Sequence, residues 1–303
     1  MTPTMSNPAA TEDQFLGALL GLAIGDALGR PVRGLTKRKI SDQFGLLTSY
    51  IKTDTERNSS SPGEITDKTE ICLCIVESLT TNDGLLDPVN INARMTFLIR
   101  GPSRQYMSEA VVSGVGLAEA HDGQVPADRL DAPELAVAIR GVPVGLVHAV
   151  GAFDEETIRR ESAVVSRLTH RGSVQADMTA MVAIAVCDAA RGQAAAVDSA
   201  RRPDSSAESA GPVDTVVSEL ARAVAQAEHF EDAVFAAVGE GGETDVKGAI
   251  AGAIAGARFG ATGIPQDLID GLDARIYLSM AAPWFFRTAL RRAGTVIDLR
   301  VID

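Results

Sequence analysis

Eight glycines, set in two runs at a constant spacing of four residues, constrain this chain more than any other feature. QFLGALLGLAIGDALG carries Gly17, Gly21, Gly25 and Gly29, and GAIAGAIAGARFG carries Gly248, Gly252, Gly256 and Gly260. On a helix, a spacing of four draws each run into one slightly drifting stripe. Each interior glycine costs about 1 kcal/mol relative to alanine. Four in a row therefore need a compensating gain, and close approach of another backbone supplies one. Spaced glycines also mark helix pairs in membranes. Here Asp26 and Arg258 interrupt the apolar faces, which points instead to a pair of central helices packed in water.

The remaining pattern is helical. ITDKTEICLCIVESL has apolar or small residues at Ile71, Leu73, Cys74, Val76 and Leu79, a wide buried face, with Thr66 or Asp67 as its N-cap. Thr11-Glu12-Asp13 starts the first glycine helix, with acids at the positive end of the dipole. Further helices are expected over 88–97, 108–118, 155–166, 175–190, 213–227, 231–238 and 265–276. Long alternating strand patterns are lacking, and aromatics make up only 4% of the 303 residues. The fold class is therefore all-α. Residues 1–11 read as a flexible tail and 12–303 as a single domain with a flexible surface loop near 192–213.

With 46% hydrophobic residues the chain can bury a substantial core. Its formal net charge of −12 argues against binding a nucleic-acid backbone. Cys72, Cys74 and Cys187 are an odd number in a long chain and read as buried thiols rather than a disulfide scaffold. MTPTMSNPAATEDQ has no secretory pattern. No uninterrupted apolar run approaches the roughly 20 residues of a membrane helix, so the expected location is cytoplasmic, without membrane binding.

Two acidic segments stand at the start of predicted helices. They are Gly63-Glu64-Ile65-Thr66-Asp67-Lys68-Thr69-Glu70 and Gly241-Gly242-Glu243-Thr244-Asp245-Val246-Lys247-Gly248. Threonine hydroxyls and carboxylates are hard oxygen donors suited to Mg²⁺, Mn²⁺ or Ca²⁺. Ordinary helix capping accounts for either segment alone without a metal.

Taken together and in order, the motifs resemble the ADP-ribosylglycohydrolase family from about Asp13 to Leu272. The matching pieces are GALLGLAIGDALGRPVRG, PGEITDKTE, the Arg140-x-x-Pro143-x-Gly145 segment, SRLTH ending at His170, and GGETDVKGAIAGAIAGARFG followed by Gly263-Ile264-Pro265. The resemblance implies an all-α globule with a binuclear Mg²⁺ or Mn²⁺ centre. It also implies hydrolysis of the glycosidic bond joining ADP-ribose to a protein side chain. The family's Thr-Asp-Asp motif falls on Thr66, Asp67 and Lys68, and its Asp-x-Asp-Thr motif on Glu243, Thr244, Asp245 and Val246.

Lys68 and Val246 depart from that pattern, and Glu243 is a longer carboxylate substitute. Asp67, Glu243 and Asp245 against the Lys68 ammonium leave a formal charge of −2, enough for one divalent ion at most. A charged lysine has no lone pair to offer a metal, so its ammonium can stand in a lost cation's place. Arg33 falls where many family members carry a glutamate near the ribose, and Leu135-Ala136 and Ile139 replace Asn-Gly and Met. Arg33 and Lys68 could create an anion site; alternatively Arg33 is a solvated loop residue. His170 aligns with a family histidine near the ligand. Asp26 is expected to pack helices or support the metal site, Arg140 to be structural, and Ser173 and Asp177 do not make a triad with His170.

The site residues implied are therefore Asp67, Lys68, Glu243 and Asp245 for chemistry, Arg33 and His170 for substrate. Thr66, Asp67, Glu243 and Asp245 remain as donors to at most one Mg²⁺ or Mn²⁺ ion, or to none. The implied activity is that of a divergent enzyme on a ribosyl, ADP-ribosyl or nucleotide-like substrate, either a small molecule or an ADP-ribosylated protein. Two alternatives stay open: a catalytically inactive ADP-ribose or nucleotide binder, and ordinary ADP-ribosyl hydrolysis with a single metal.

Overall fold

The structure is a computed structural model that describes residues 10–55, 58–129, 132–193 and 212–295. Helix α1 (Glu12–Gly29) opens with Thr11 as N-cap in a capping box with Gln14. It is buried almost all round from Phe15 onward, the mark of a central rather than a surface helix. Its partner α11 (Thr244–Phe259) is equally buried. The two run antiparallel with their stripes in register: Gly17 lies on Gly256, Gly21 on Gly252 and Gly25 on Gly248. A Cβ added at any of these would overlap a carbonyl of the facing helix. The remaining two glycines behave differently. Gly29 faces Thr244, while Gly260 takes φ +74° and ends α11 as its C-cap.

Around this pair lie α2 (Lys37–Phe44), α3 (Asp67–Thr81), α4 (Pro88–Leu98) and α5 (Glu109–Glu119). Then follow α6 (Gly141–Val147), α7 (Glu155–Ser166), α8 (Ser173–Ala190), α9 (Pro212–Gln226) and α10 (Phe230–Gly239). The chain ends in α12 (Gln266–Asp270) and α13 (Arg275–Arg292). One antiparallel pair of three-residue strands, β1 (Thr53–Thr55) and β2 (Asn58–Ser60), joins Thr53 to Ser60 and Thr55 to Asn58. The fold is all-α, and its apolar interior is one continuous cluster.

Several expectations are corrected. Helix α2, the short α6 and nearly all of α13 had no counterpart among the predicted helices. The helix expected over 265–276 breaks at Gly271, whose preceding turn is held by Gly63: a Cβ on Gly63 would overlap Gly271 O, and Asp273 N–H donates to Gly63 O at 3.1 Å. Helix α13 then runs on through Pro283. Of the expected tail over 1–11, residues 1–9 lie outside the described residues. Ala10, however, is buried and donates to Ala149 O at 3.3 Å. The expected loop near 192–213 lies outside them from 194 to 211.

Two segments, Glu12–Val32 and Ser173–Ala190, are long and apolar enough to cross a membrane, against the expectation that no run approached that length. Within this fold 89% and 72% of those windows are buried by protein. The three cysteines are free and buried, and Cys72 Sγ donates to Ile139 O at 3.2 Å.

Candidate active site

The site forms where α1, α3 and α11 meet. Asp26, on the last turn of α1 and fully buried, accepts from the first turn of α3. Its Oδ2 takes Thr66 N–H at 2.9 Å, Thr69 N–H at 3.3 Å and Thr69 Oγ1 at 2.6 Å, while Oδ1 takes Thr66 Oγ1 at 2.8 Å. The unsatisfied donors of a helix start are thus met by a carboxylate from another helix, which also complements the dipole. Thr66 is the N-cap, its hydroxyl accepting from Lys68 N–H at 3.3 Å.

The second acidic turn arrives by a backbone device. Gly241 and Gly242 both take positive φ, +74° and +76°, a conformation that side chains with a Cβ seldom adopt. That turn pairs with residues 34–36: Gly242 N–H donates to Leu35 O and Gly34 N–H to Gly242 O, both at 2.8 Å. The pairing sets Arg33 against the start of α11. Thr244 Oγ1 donates to Gly29 O at 2.6 Å and locks the same corner to α1.

The charges then interleave. Lys68 Nζ lies 2.6 Å from Asp67 Oδ1 and 3.5 Å from Asp245 Oδ2, and it also donates to Tyr106 O at 3.3 Å. Arg33 Nη1 donates to the same Asp245 Oδ2, and its Nη2 stands 3.7 Å from Glu243 Oε1. Asp67, Lys68 and Asp245 are buried, whereas the Arg33 and Glu243 side chains are 37% and 47% exposed. Burial pushes the Asp26 carboxyl up to about 6, with the Asp245 charge adding to it. Burial also raises Asp67, only partly offset by Lys68. Burial works against the Arg33 guanidinium, yet Asp245 outweighs it and holds Arg33 above its usual value.

The donor set does not fit a pair of metal ions. Thr66 Oγ1 is committed to Asp26, Asp67 Oδ1 to Lys68, and Asp245 Oδ2 to Arg33 and Lys68. Val246 is buried among apolar residues of the core. Among the described residues no three carboxylate, imidazole or thiol groups converge as a metal cluster. Two protein cations instead neutralise the carboxylates, and two carboxylate oxygens of these segments, Asp245 Oδ1 and Glu70 Oε2, are buried without a hydrogen-bond partner. A small cavity of about 10 Å³ adjoins Asp67 and Lys68, walled by Ile71, Val111, Val137 and Arg140, room for about one water.

Other predicted residues sit elsewhere. His170 is fully buried with Nδ1 2.8 Å from Thr169 Oγ1 and Nε2 3.5 Å from Glu134 Oε1, a distance too long for a good hydrogen bond. Glu134 also accepts from Ser108 Oγ at 2.9 Å and precedes the short 3₁₀ segment Leu135–Arg140 that lines the cavity. Arg140 is buried, donates to Val165 O at 3.2 Å, and is lowered to about 10 by that burial. Its role in holding α7 to the cavity wall is structural. Sequence reasoning missed Thr69, whose hydroxyl is bound to Asp26, and Tyr106, which accepts from Lys68 through its carbonyl. The Tyr106 hydroxyl donates to Glu64, and Arg30 stacks 4.8 Å over its ring. No spacing in the sequence marks either one.

Comparisons with known proteins address the family and the fold. The family model described as ADP-ribosylglycohydrolase matches residues 7–294. The ADP-ribosyl-[dinitrogen reductase] glycohydrolase of Rhodospirillum rubrum is 29% identical, over 90% of this chain and 94% of its own. An uncharacterized protein of Archaeoglobus fulgidus is 27% identical over 92% and 98%. A solved structure titled ADP-ribosylglycohydrolase-related protein complex superposes with a TM-score of 0.73 at 25% identity, covering 92% of this chain and 98% of that one.

Proposed function

The chain belongs to the ADP-ribosylglycohydrolase family, and from that premise we propose that the Lys68 cluster hydrolyses a glycosidic bond at the ribose of an ADP-ribosyl or nucleotide-like substrate. The observation that carries this reading is the position of Lys68 Nζ, within 3.5 Å of a carboxylate from each acidic turn. An ammonium there supplies the positive charge that the family pattern assigns to metal. At most one Mg²⁺ or Mn²⁺ ion joins it, and no step below requires one.

The substrate meets the cluster from the solvent-reached edge formed by Arg33 and Glu243. Arg33 pairs with an anionic group of the ligand, while Lys68, whose three N–H donors face Asp67, Asp245 and the Tyr106 carbonyl, holds the two acidic turns together. Asp245 Oδ1, a buried oxygen without a partner, accepts the proton of the attacking water. Glu243, half exposed at the start of α11, protonates the leaving group. Paired carboxylates divide acid and base work in this way across glycoside hydrolysis. His170, paired with Thr169 and buried beside Glu134, packs near the start of the 3₁₀ wall rather than at the Lys68 cluster.

Incubation with ADP-ribosyl-arginine and related conjugates, with Mg²⁺, Mn²⁺ or a chelator, tests the reading. Free ADP-ribose is expected under all three conditions, and Lys68→Ala or Asp245→Asn should abolish it. Full turnover by either variant refutes these roles. One observation favours a second reading: Asp245 Oδ2 is already saturated by Arg33 and Lys68, beside a cavity too small for a ribose. A non-catalytic ADP-ribose or nucleotide binder would retain the ligand and release no free ADP-ribose from any conjugate.

A further inference from the structure

We propose that the outward face of α13 is the contact through which two copies of this chain pair about a two-fold axis. The proposal is independent of the chemistry at Lys68. Helix α13 is held to the body by Leu278, Ala282, Phe285 and Ala289, all buried. Its other side exposes large apolar residues: Ile276 is 66% exposed, Met280 66% and Trp284 61%, with Tyr277 at 46%. Singly exposed apolar residues are ordinary, but a continuous stripe of four along one helix marks an interaction surface.

Beside that stripe runs a groove of about 550 Å³ between α3, α4 and α13, lined by Leu73, Cys74, Phe97, Leu98 and Tyr277 and, among them, by Glu70, Glu77, Asn90 and Arg94. Phe97 is 75% exposed on its rim. Seven residues separate Tyr277 from Trp284, so both point to the same side of α13, about 10 Å apart along its axis. An aromatic anchor and a groove with an apolar wall and a polar one thus lie side by side on one face. In an antiparallel α13 pair with Met280 near the axis, each Trp284 reaches the level of the partner's Tyr277 and its groove. Such mutual exchange is the signature of a two-fold interface, and tryptophan is a residue enriched at interface hot spots.

Charge selects a second copy as the occupant. Helix α13 holds no acidic residue, and Arg287 and Arg291 are exposed toward its C-terminus. Asp267, Asp270 and Asp273 are exposed just ahead of its N-terminus. Antiparallel pairing sets the acids of one copy against the arginines of the other at both ends. Arg287 stacks on Trp284 at 5.4 Å, and Arg291 donates to Thr288 Oγ1 at 3.1 Å and stands 3.7 Å from exposed Asp83; both side chains stay exposed. An anionic lipid surface would meet those arginines but also the acids and the −12 charge of the whole chain.

Trp284 is the one tryptophan in the chain, which makes its fluorescence a direct reporter. The full chain should sediment as a dimer at tens of micromolar, and its emission should shift to the blue as concentration rises. Met280→Glu, at an exposed position that leaves folding intact, should weaken self-association roughly 30-fold or more and abolish the shift. Asp273→Arg should weaken the dimer, and adding Arg287→Asp and Arg291→Asp should restore it. A monomer with concentration-independent emission overturns the proposal. So does a dimer indifferent to Met280→Glu, or a dilute monomer whose emission shifts only on phosphatidylglycerol vesicles.

Discussion

The middle of the α1/α11 pair and its end near Gly29 are built on different principles. Along its middle, Gly17, Gly21 and Gly25 meet Gly256, Gly252 and Gly248 with nothing between the backbones. That contact is neutral and steric. At the end near Gly29 the backbones still touch at Thr244, but Asp26 and Asp245 stand beside the contact and four further charged side chains enter from α3 and the flanking loops. There the contact is held by charge compensation in a buried setting. The difference teaches that the glycine zipper depends on the absence of side-chain atoms alone, whereas the charged corner depends on each buried charge finding its counterpart as well.

The largest expected effect breaks the steric half. Gly21→Val together with Gly252→Val should cost about 4 kcal/mol or more, because each added Cβ overlaps a facing carbonyl and neither helix can retreat from the core. Urea denaturation, or failure to obtain folded protein, reads it; a variant as stable as the parent would show that the helices do not touch as described. Next, Lys68→Met should cost roughly 3–5 kcal/mol, the loss seen when one partner of a buried ion pair is removed. Here it strands Asp67 beside Asp245. Lys68→Asp combined with Val246→Thr and Glu243→Asp sharpens the same point, since it restores the family's donor pattern and should confer Mg²⁺- or Mn²⁺-dependent stabilisation measurable by thermal shift.

A third test uses pH. The Asp26 carboxyl is raised from 3.8 to about 6, so the folded state binds its proton more tightly than the unfolded state. Its contribution to stability is present in full below pH 3.8 and is lost as pH rises through about 6. The loss is roughly 3 kcal/mol. Asp26→Asn should flatten that component of the stability–pH curve between those limits, and an unchanged slope would exclude Asp26 as its source. The smallest effect is expected at the solvent edge. Glu243→Gln should change stability by no more than about 0.5 kcal/mol, because its bridge to Arg33 is 3.7 Å long and half exposed, while turnover should fall sharply if Glu243 supplies the proton.

Much of this molecule was legible before any coordinates. The register of two glycine stripes announced the central pair, and Thr66 followed by Asp67 announced a capped helix start. The sequence also set Lys68 beside Asp67, and the two side chains are paired in the structure. Other parts were hidden for physical reasons. Helix α13 carries Pro283 inside it and four bulky residues facing outward, so its pattern does not show the polar outer face of an ordinary surface helix. Arg33 read as either an anion site or a solvated loop residue. It is committed to Asp245 only because residues 34–36 pair with the 241–242 turn, a contact between segments some two hundred positions apart. His170 shares a segment with the family pattern, yet its nearest partners are Thr169 and Glu134.

What the amino-acid order decided alone is the steric part. A glycine lacks a Cβ wherever it stands, and repetition every fourth residue aligns that lack along one helix face, so close backbone contact follows from composition and period. What only the tertiary structure decided is which charge answers which. The attraction between Lys68, Arg33 and Asp245 falls with distance and grows with burial, and both quantities come into being only when three helices and two glycine turns have met.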